Sequence, residues 1–496
     1  MSSPSATQGT ITPRIIIHGG AGSITRSNLP PPLYAAHRSA LLSILDSTTS
    51  LLQDGTTTAL EAATHAVTLL ELHPLYNAGR GAVFTTAGRI EHEASVMLST
   101  AHPGCAAVSG SPSLFPAGLV KVAASSMRTS SVKHPVLLAR TMLERGNEVG
   151  GGGAQGHVQI CGDTAEGLAR RWGLEVVRPS WCWTRKRWEQ HRRGRGLGTS
   201  DGEWEGEKAK VDREAGWEEI AGDAEGEQGS DLAPETGLGG QEGIERMRKG
   251  SRDATEDCGY AEVEGWNGED YLPQGTVGAV VLDRFGTICV ATSTGGMTNK
   301  LPGRIGDTPT IGAGFWAESW SGEGRMFFDE TGSRATSPLE KLVKGEWWDV
   351  LRDWLPEWAL PRPSPTYLPL ASLRDGKGRK GGPLRAVGMS GTGNGDSFLK
   401  VCCVRTVAAM VRFSSPSPSL QSALTKMAGP GGLLEESAEE RWSKTGEGEG
   451  GIIGVELVDG VGKIVSDFNC GGMFRAWVDD DGHGQMMVFR DQYQTA

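Results

Sequence analysis

No run of about 18 uncharged apolar residues occurs anywhere in the 496-residue sequence, which argues against a membrane-spanning helix. The opening segment, Met1 to Pro13, lacks both the basic-then-apolar pattern of a secretory leader and the Arg-rich pattern of a transit peptide, so a cytoplasmic location is expected. No CxxC pair links any of the eight cysteines (Cys105, Cys161, Cys182, Cys258, Cys289, Cys402, Cys403 and Cys470), so no zinc or dithiol site is predicted and the thiols read as reduced. Excess positive charge is also missing. A net charge of -11 and a pI near 5.5 give no electrostatic reason to expect nucleic acid or an anionic membrane as partner, and an anionic substrate would need a local Arg. No internal repeat is visible.

What is present is glycine, 72 residues of it, beside 38% hydrophobic residues, a mix that allows a packed core with many loops. The length exceeds that of a usual single domain, so the chain reads either as several domains or as one domain with large insertions. Two stretches favour insertions. Between about Arg185 and Asp270 a basic run gives way to Gly, Glu and Asp with few aliphatics, the composition of a solvated linker. From about Glu318 to Pro383, Trp347, Trp348, Trp354 and Trp358 mix with Pro361, Pro363 and Pro365, and the tryptophans suggest a segment that packs on something.

Elsewhere the periodicities are regular. Ile15-Ile16-Ile17 is a β-branched run that empties into His18-Gly19-Gly20-Ala21-Gly22, a buried strand followed by a turn. Leu41, Leu42, Ile44 and Leu45 lie at helical spacing, as do Leu60, Ala63, Val67 and Leu70 after a stop at Asp54-Gly55. Further helices are predicted at Val136 to Glu144, Ala165 to Trp172 and Phe398 to Val411. Strands are predicted at Val277 to Asp283, Thr287 to Ala291, Ile452 to Val458 and Lys463 to Phe468. Mixed strands and helices with tight hairpins argue for an α+β arrangement of stacked layers rather than a purely parallel sheet.

The chemistry concentrates at Gln274-Gly275-Thr276-Val277, where a hydroxyl residue opens a strand. Taken alone, this is more commonly an ordinary strand edge than a nucleophile. The hairpin returns, however, as Ala291-Thr292-Ser293-Thr294-Gly295-Gly296-Met297-Thr298-Asn299-Lys300 and runs into Leu301-Pro302-Gly303-Arg304-Ile305-Gly306-Asp307, too polar and Gly-rich for a plain strand end.

These residues resemble the plant-type asparaginase and isoaspartyl peptidase family from Gly275 to Gly314. Further blocks agree in order: Ile17 to Gly22, Tyr76-Asn77-Ala78-Gly79-Arg80-Gly81-Ala82-Val83-Phe84 with Glu93 to Met97, Thr392-Gly393-Asn394-Gly395-Asp396, and Phe468 to Trp477. The resemblance implies a four-layer αββα sandwich of the N-terminal-nucleophile hydrolase type. The precursor would cut itself between Gly275 and Thr276, dividing the chain into an α part, 1–275, and a β part, 276–496, with 185–270 and 318–383 as linker and insertion. The product would be an αβ heterodimer, its pairing into (αβ)2 left open. A threonine hydroxyl is a poor nucleophile until a base takes its proton, and the freed α-amino group, with a reference pKa of about 7.7 to 8.0, is such a base in the same residue. His18, in its Gly-rich turn, reads as structural rather than as part of a triad.

Position by position, the resemblance makes Thr276 the nucleophile and Thr294 a hydroxyl hydrogen-bonded to it. Thr392 and the Gly393 N–H form an oxyanion hole. Arg304 and Asp307 clamp the substrate's α-carboxylate and α-ammonium, a pairing otherwise readable as a surface ion pair. Gly395 offers its carbonyl to the substrate amine, and Asn77 is a further substrate-binding residue. No catalytic cofactor is implied. The carbonyls of Leu70, Glu71, His73, Tyr76, Ala78 and Arg80 match those that hold a structural sodium ion in relatives. The implied substrates are L-asparagine and β-aspartyl dipeptides, small molecules that release L-aspartate.

Departures occur at Met97-Leu98-Ser99 and at Phe468-Asn469-Cys470-Gly471-Gly472, both expected at the pocket rim. A glycosylasparaginase-like enzyme, a taspase-like protease and a non-catalytic binding protein are the competing readings. Intact Thr276, Thr294, Arg304, Asp307 and Thr392 argue against the last.

Overall fold

Uninterrupted apolar runs, unlike alternating ones, mark strands covered on both faces, and the computed structural model shows what covers them. It describes residues 11–99, 122–217, 275–321 and 384–492. The elements, in chain order, are β1 (Arg14–Gly22), α1 (Pro31–Gln53), α2 (Ala59–Leu72), β2 (His92–Leu98), β3 (Ala123–Thr129), α3 (Pro135–Glu144), β4 (Gln159–Cys161) and α4 (Gly162–Arg171). They continue with α5 (Arg185–Arg193), α6 (Asp201–Glu214), β5 (Val277–Leu282), β6 (Ile288–Thr294), β7 (Phe315–Ser321) and β8 (Leu384–Gly393). The last are α7 (Gly395–Lys400), α8 (Cys403–Phe413), α9 (Leu420–Ala428), α10 (Leu433–Ala438), β9 (Gly450–Val458), β10 (Val461–Phe468), β11 (Gly472–Val478) and β12 (Gly484–Met487).

The fold is α+β. One sheet has the order β12-β11-β1-β5-β6-β2-β3-β4 and the other β10-β9-β8-β7, antiparallel throughout except where β3 meets β4. Side-chain alternation assigns each face. Ile15, Ile17, Val277, Ala279 and Val281 enter the core with Leu41, Leu45, Ala63 and Val67 of α1 and α2. Ile16, Val280 and Leu282, one residue out of phase, meet Phe315, Ala386, Ile453 and Val455 of the second sheet. The opposite face of that sheet, Val387, Met389 and Ile452, packs on Val404, Val407, Leu424 and Met427 of α8 and α9. The same phase puts Thr276 on the inter-sheet side of β5, and Thr392 on the inter-sheet side of β8.

Local signals explain the ends of elements. Thr58 and Glu61 form a capping box on α2, and the buried Asp283 carboxylate accepts N–H groups from Ala59, Phe285 and Thr287, joining the helix start to the β5–β6 hairpin. The helix expected over Phe398 to Val411 is instead two, α7 and α8, because Cys402 takes a left-handed conformation (φ 45°) that stops the helical run.

The linker expectation needs a correction at its N-terminal end. Residues 185–214 carry α5 and α6, with Trp188 fully buried beside Trp183 and Phe84. Hydropathy hid this because charged residues supply the packing. Arg192 bonds Glu203 and Glu207, the latter at 2.6 Å, and so ties the two helices together, while Trp188 and Trp204 stack edge to face between them. The insertion boundary shifts too, since Glu318 to Ser321 belong to β7 and pair with β8. Residues 218–274 and 322–383 lie outside the described residues.

The linker prediction therefore applies beyond Trp217. Deleting residues 218–264, a Gly- and Glu-rich stretch, while keeping 265–274 ahead of Thr276, should leave soluble protein that still cuts itself. Halving a loop changes its closure cost by only about 0.6 kcal/mol. Extending the same deletion back to Arg185 should destroy stability, because it removes Trp188. Thermal denaturation of both variants tests this, and equal stability of the two would contradict it.

Candidate active site

Thr276 stands where β5 begins, 6% exposed, on the side of β5 that faces the second sheet. The residue before it is tightly enclosed. A Cβ built on Gly275 would fall 2.5 Å from Gly20 Cα, 2.6 Å from Ala21 N and 2.6 Å from Thr392 Oγ1, so only glycine fits against this turn. Gly20 itself has φ +119°, available to glycine alone, which lets β1 end against the Gly275 backbone. In this uncut chain the Thr392 hydroxyl donates to the Thr276 carbonyl at 3.0 Å.

The hydroxyl of Thr276 has a different neighbour from the one expected. Thr276 Oγ1 and Thr308 Oγ1 are 2.8 Å apart, sharing one hydrogen bond. The sequence reading gave that partner as Thr294, whose Oγ1 instead accepts from Gly296 N at 3.0 Å and from Asn77 Nδ2 at 3.5 Å. Asn77 Nδ2 also donates to Gly296 O, and its Oδ1 accepts from Val83 N, so Asn77 ties its own loop to the end of β6. Thr308 directly follows Asp307, and a hydroxyl beside the clamp carboxylate was the one signal that could have marked it.

Arg304 and Asp307 are brought together, with Gly395 pressed against both. A Cβ on Gly395 would lie 2.4 Å from Asp307 Oδ1 and 3.1 Å from Arg304 Nη2, so any other residue here would crowd both side chains. Asp307 Oδ2 and Arg304 Nε are buried without a hydrogen-bond partner among the described residues, as expected of groups that await a ligand. Burial pushes the Asp307 carboxyl up to about 7, against the opposing pull of Arg304. Two further carboxylates bear on the clamp. Asp396 Oδ1 accepts from Arg304 Nη2 at 2.7 Å, and Glu93, wholly buried, accepts from Gly306 N and pairs with Lys300 Nζ at 3.5 Å. Glu93 thereby fixes the turn that carries Arg304 and Asp307; burial raises its pKa despite Lys300 and Arg304.

Gly393 closes the site from β8. Its φ of +147° and a built Cβ 2.3 Å from Glu449 O require glycine, and Asn394 caps the helix that follows by accepting from Ser397 N. His18 is buried in the inter-sheet layer, its Nε2 2.7 Å from Ser390 Oγ, and burial lowers its pKa to about 3, so the ring is neutral.

The loop after α2 brings several backbone carbonyls together. Glu71 O accepts from Arg80 N at 2.7 Å, while a Cβ on Gly79 would lie 2.4 Å from Glu71 O and one on Gly81 2.6 Å from Pro74 O and 2.8 Å from Tyr76 O. Carbonyl oxygens thus turn into the loop around two left-handed glycines, a donor set suited to a hard monovalent cation. Arg187, missed by sequence reasoning, grips the same loop from α5, donating to Gly81 O at 2.9 Å and Leu75 O at 3.4 Å. Among the described residues, Cys161, Cys182, Cys289, Cys402, Cys403 and Cys470 form no disulfide, and no described helix is long and apolar enough to cross a membrane.

Comparison with known proteins gives the family of the chain. A family model described as asparaginase matches residues 11–335. An isoaspartyl peptidase of Salmonella typhimurium is 34% identical over 320 residues, covering 63% of this chain and 74% of the relative. A putative isoaspartyl peptidase/L-asparaginase of Dictyostelium discoideum is 27% identical over 95% of this chain and 94% of its own length. A plant-type L-asparaginase of Pyrococcus furiosus is 28% identical over 62% of this chain and 71% of the relative.

Proposed function

The chain belongs to the asparaginase family, and from that premise we propose that it hydrolyses the β-amide of L-asparagine and of β-aspartyl dipeptides after cutting itself before Thr276. The observation that carries the reading is the convergence of Thr276, Thr392 and the Arg304–Asp307 clamp at one end of the inter-sheet space. In the four-layer αββα reading, α1, α2 and α3 form one outer layer and α8 with α9 the other. Self-cleavage would then yield an α part, 1–275, and a β part, 276–496.

After cleavage the Thr276 α-amino group is free to take the proton of its own hydroxyl. Oγ attacks the β-acyl carbon while Arg304 holds the substrate's α-carboxylate and Asp307, with the Gly395 carbonyl, holds its α-ammonium. Negative charge on the attacked oxygen is met by Thr392 Oγ1 and Gly393 N–H. The α-ammonium of Thr276 protonates the departing ammonia or amino acid as the C–N bond breaks, leaving an aspartyl ester on Oγ. Water, deprotonated by the same α-amine, then releases L-aspartate. The carbonyls of Leu70, Glu71, His73, Tyr76, Ala78 and Arg80 would hold a sodium ion that stiffens the Asn77 loop and takes no part in the bond changes.

The reading is tested by measuring aspartate release from asparagine and from a β-aspartyl dipeptide, and activity on neither would overturn it. It also predicts a pH dependence. In the free enzyme Asp307 loses its proton only near pH 7, and a neutral carboxyl cannot pair with an ammonium. The ratio kcat/KM, which needs both Asp307 ionised and the Thr276 amine neutral, should therefore fall about a hundredfold per pH unit below that point, while kcat, measured with Asp307 held ionised by bound substrate, should follow the Thr276 amine alone and fall about tenfold per unit. Identical acid limbs for the two parameters would exclude Asp307 from the ammonium contact.

A further inference from the structure

The amine that serves as base in the mature enzyme does not exist in the uncut chain, where the nitrogen of Thr276 is an amide bonded to Gly275. Amide nitrogen has no lone pair to offer a hydroxyl proton. Some other group must orient the Thr276 hydroxyl for its first reaction, and the one in contact with it is Thr308, 2.8 Å away. We propose that Thr308 is the hydroxyl partner of self-cleavage, setting the Thr276 side chain for attack on the Gly275 carbonyl, and that its contribution is larger in maturation than in turnover. The inference rests on Thr276 being the nucleophile.

Thr308 is held as a fixed partner would have to be. It is 1% exposed, and its carbonyl accepts from Ser95 Oγ at 2.7 Å and from Thr292 Oγ1 at 3.2 Å, two hydroxyls on adjacent strands β2 and β6. Those bonds lock the Thr308 backbone, so its hydroxyl is aimed by the sheet. Without it, the buried Thr276 hydroxyl would lose its only hydrogen-bond partner among the described residues and turn towards another rotamer. The other end of the scissile unit is fixed by Thr392, which donates to the Thr276 carbonyl, and by Gly20 and Ala21 packed on Gly275. Thr308 therefore supplies the remaining constraint, the direction of Oγ.

The step it assists is balanced within the chain. Oγ forms a bond to the Gly275 carbonyl carbon, the C–N bond to Thr276 breaks, and the proton that leaves Oγ ends on the nitrogen, giving an ester and a free amine. Water then cleaves the ester. No oxidant, metal or added base enters. Once the amine is free it takes over the hydroxyl proton, and the need for Thr308 declines.

Thr308→Val keeps the side-chain shape and removes the hydroxyl, while Thr308→Ser keeps the hydroxyl. The cut fraction of freshly purified full-length protein, followed over time by intact mass, should grow about tenfold more slowly in the valine variant and within about threefold of wild type in the serine variant. Aspartate release per cut chain should fall in the valine variant by a clearly smaller factor than its cleavage rate does. Thr308→Cys, a small side chain with a weak hydrogen-bonding thiol, should be slowed as valine is, which keeps the test available if the valine variant is insoluble. Wild-type cleavage rates in both Thr308→Val and Thr308→Cys would overturn the proposal, as would an equal loss in cleavage and in turnover per cut chain. Thr276→Ala separates the two levels of the argument: if that variant still cuts, the nucleophile assignment itself has failed, and if it does not cut while Thr308→Val cuts normally, only the role of Thr308 has failed.

Discussion

Thr276→Ala should give one full-length 52.6-kDa chain that never divides and releases no aspartate, with activity reduced by at least about 10⁴-fold. One hydroxyl is required twice: it attacks the Gly275 carbonyl during maturation and the substrate's β-carbonyl afterwards. The fold should survive, because Val277 to Leu282 and their packing are untouched and alanine fits any space that holds threonine. Thr276→Ser should retain partial cleavage, since it preserves the hydroxyl while loss of the methyl frees its rotamer. Two subunits from the alanine variant would refute the assignment.

Arg304→Lys should separate binding from maturation. A lysine ammonium cannot reproduce the two parallel bonds of a guanidinium to a carboxylate, and charged hydrogen bonds contribute about 1.5 to 3 kcal/mol. KM for asparagine and for a β-aspartyl dipeptide should therefore rise about 10- to 100-fold. Self-cleavage should proceed at its normal rate, because the groups that enclose Gly275 are Gly20, Ala21 and Thr392, none of them in the clamp. An unchanged KM for both substrates would exclude Arg304 from substrate binding.

The backbone-determined parts of this site were legible in the sequence. Gly275, Gly393 and Gly395 are glycines where a Cβ would strike Gly20, Glu449 or Asp307, so their motifs carry the geometry in residue identity. Ile15 to Ile17 and Val277 to Leu282 announced doubly covered strands through unbroken apolar runs. Side-chain partnerships were not legible. Whether Thr276 meets Thr294 or Thr308 depends on how the 301–307 turn folds back, and Glu93, far away in sequence, fixes that turn through Gly306. The helices at 185–214 were invisible for a related reason: their charges read as solvated, whereas Arg187 and Arg192 are buried on carbonyls and carboxylates.

The most direct measurement is intact-mass analysis of purified wild-type protein combined with N-terminal sequencing and an aspartate-release assay on the same sample. Two chains are expected, covering 1–275 and 276–496, the second beginning with Thr276, and aspartate release from asparagine or a β-aspartyl dipeptide should grow in proportion to the cut fraction. A second chain beginning at another residue, or aspartate released equally well by uncut protein, would contradict an N-terminal threonine nucleophile.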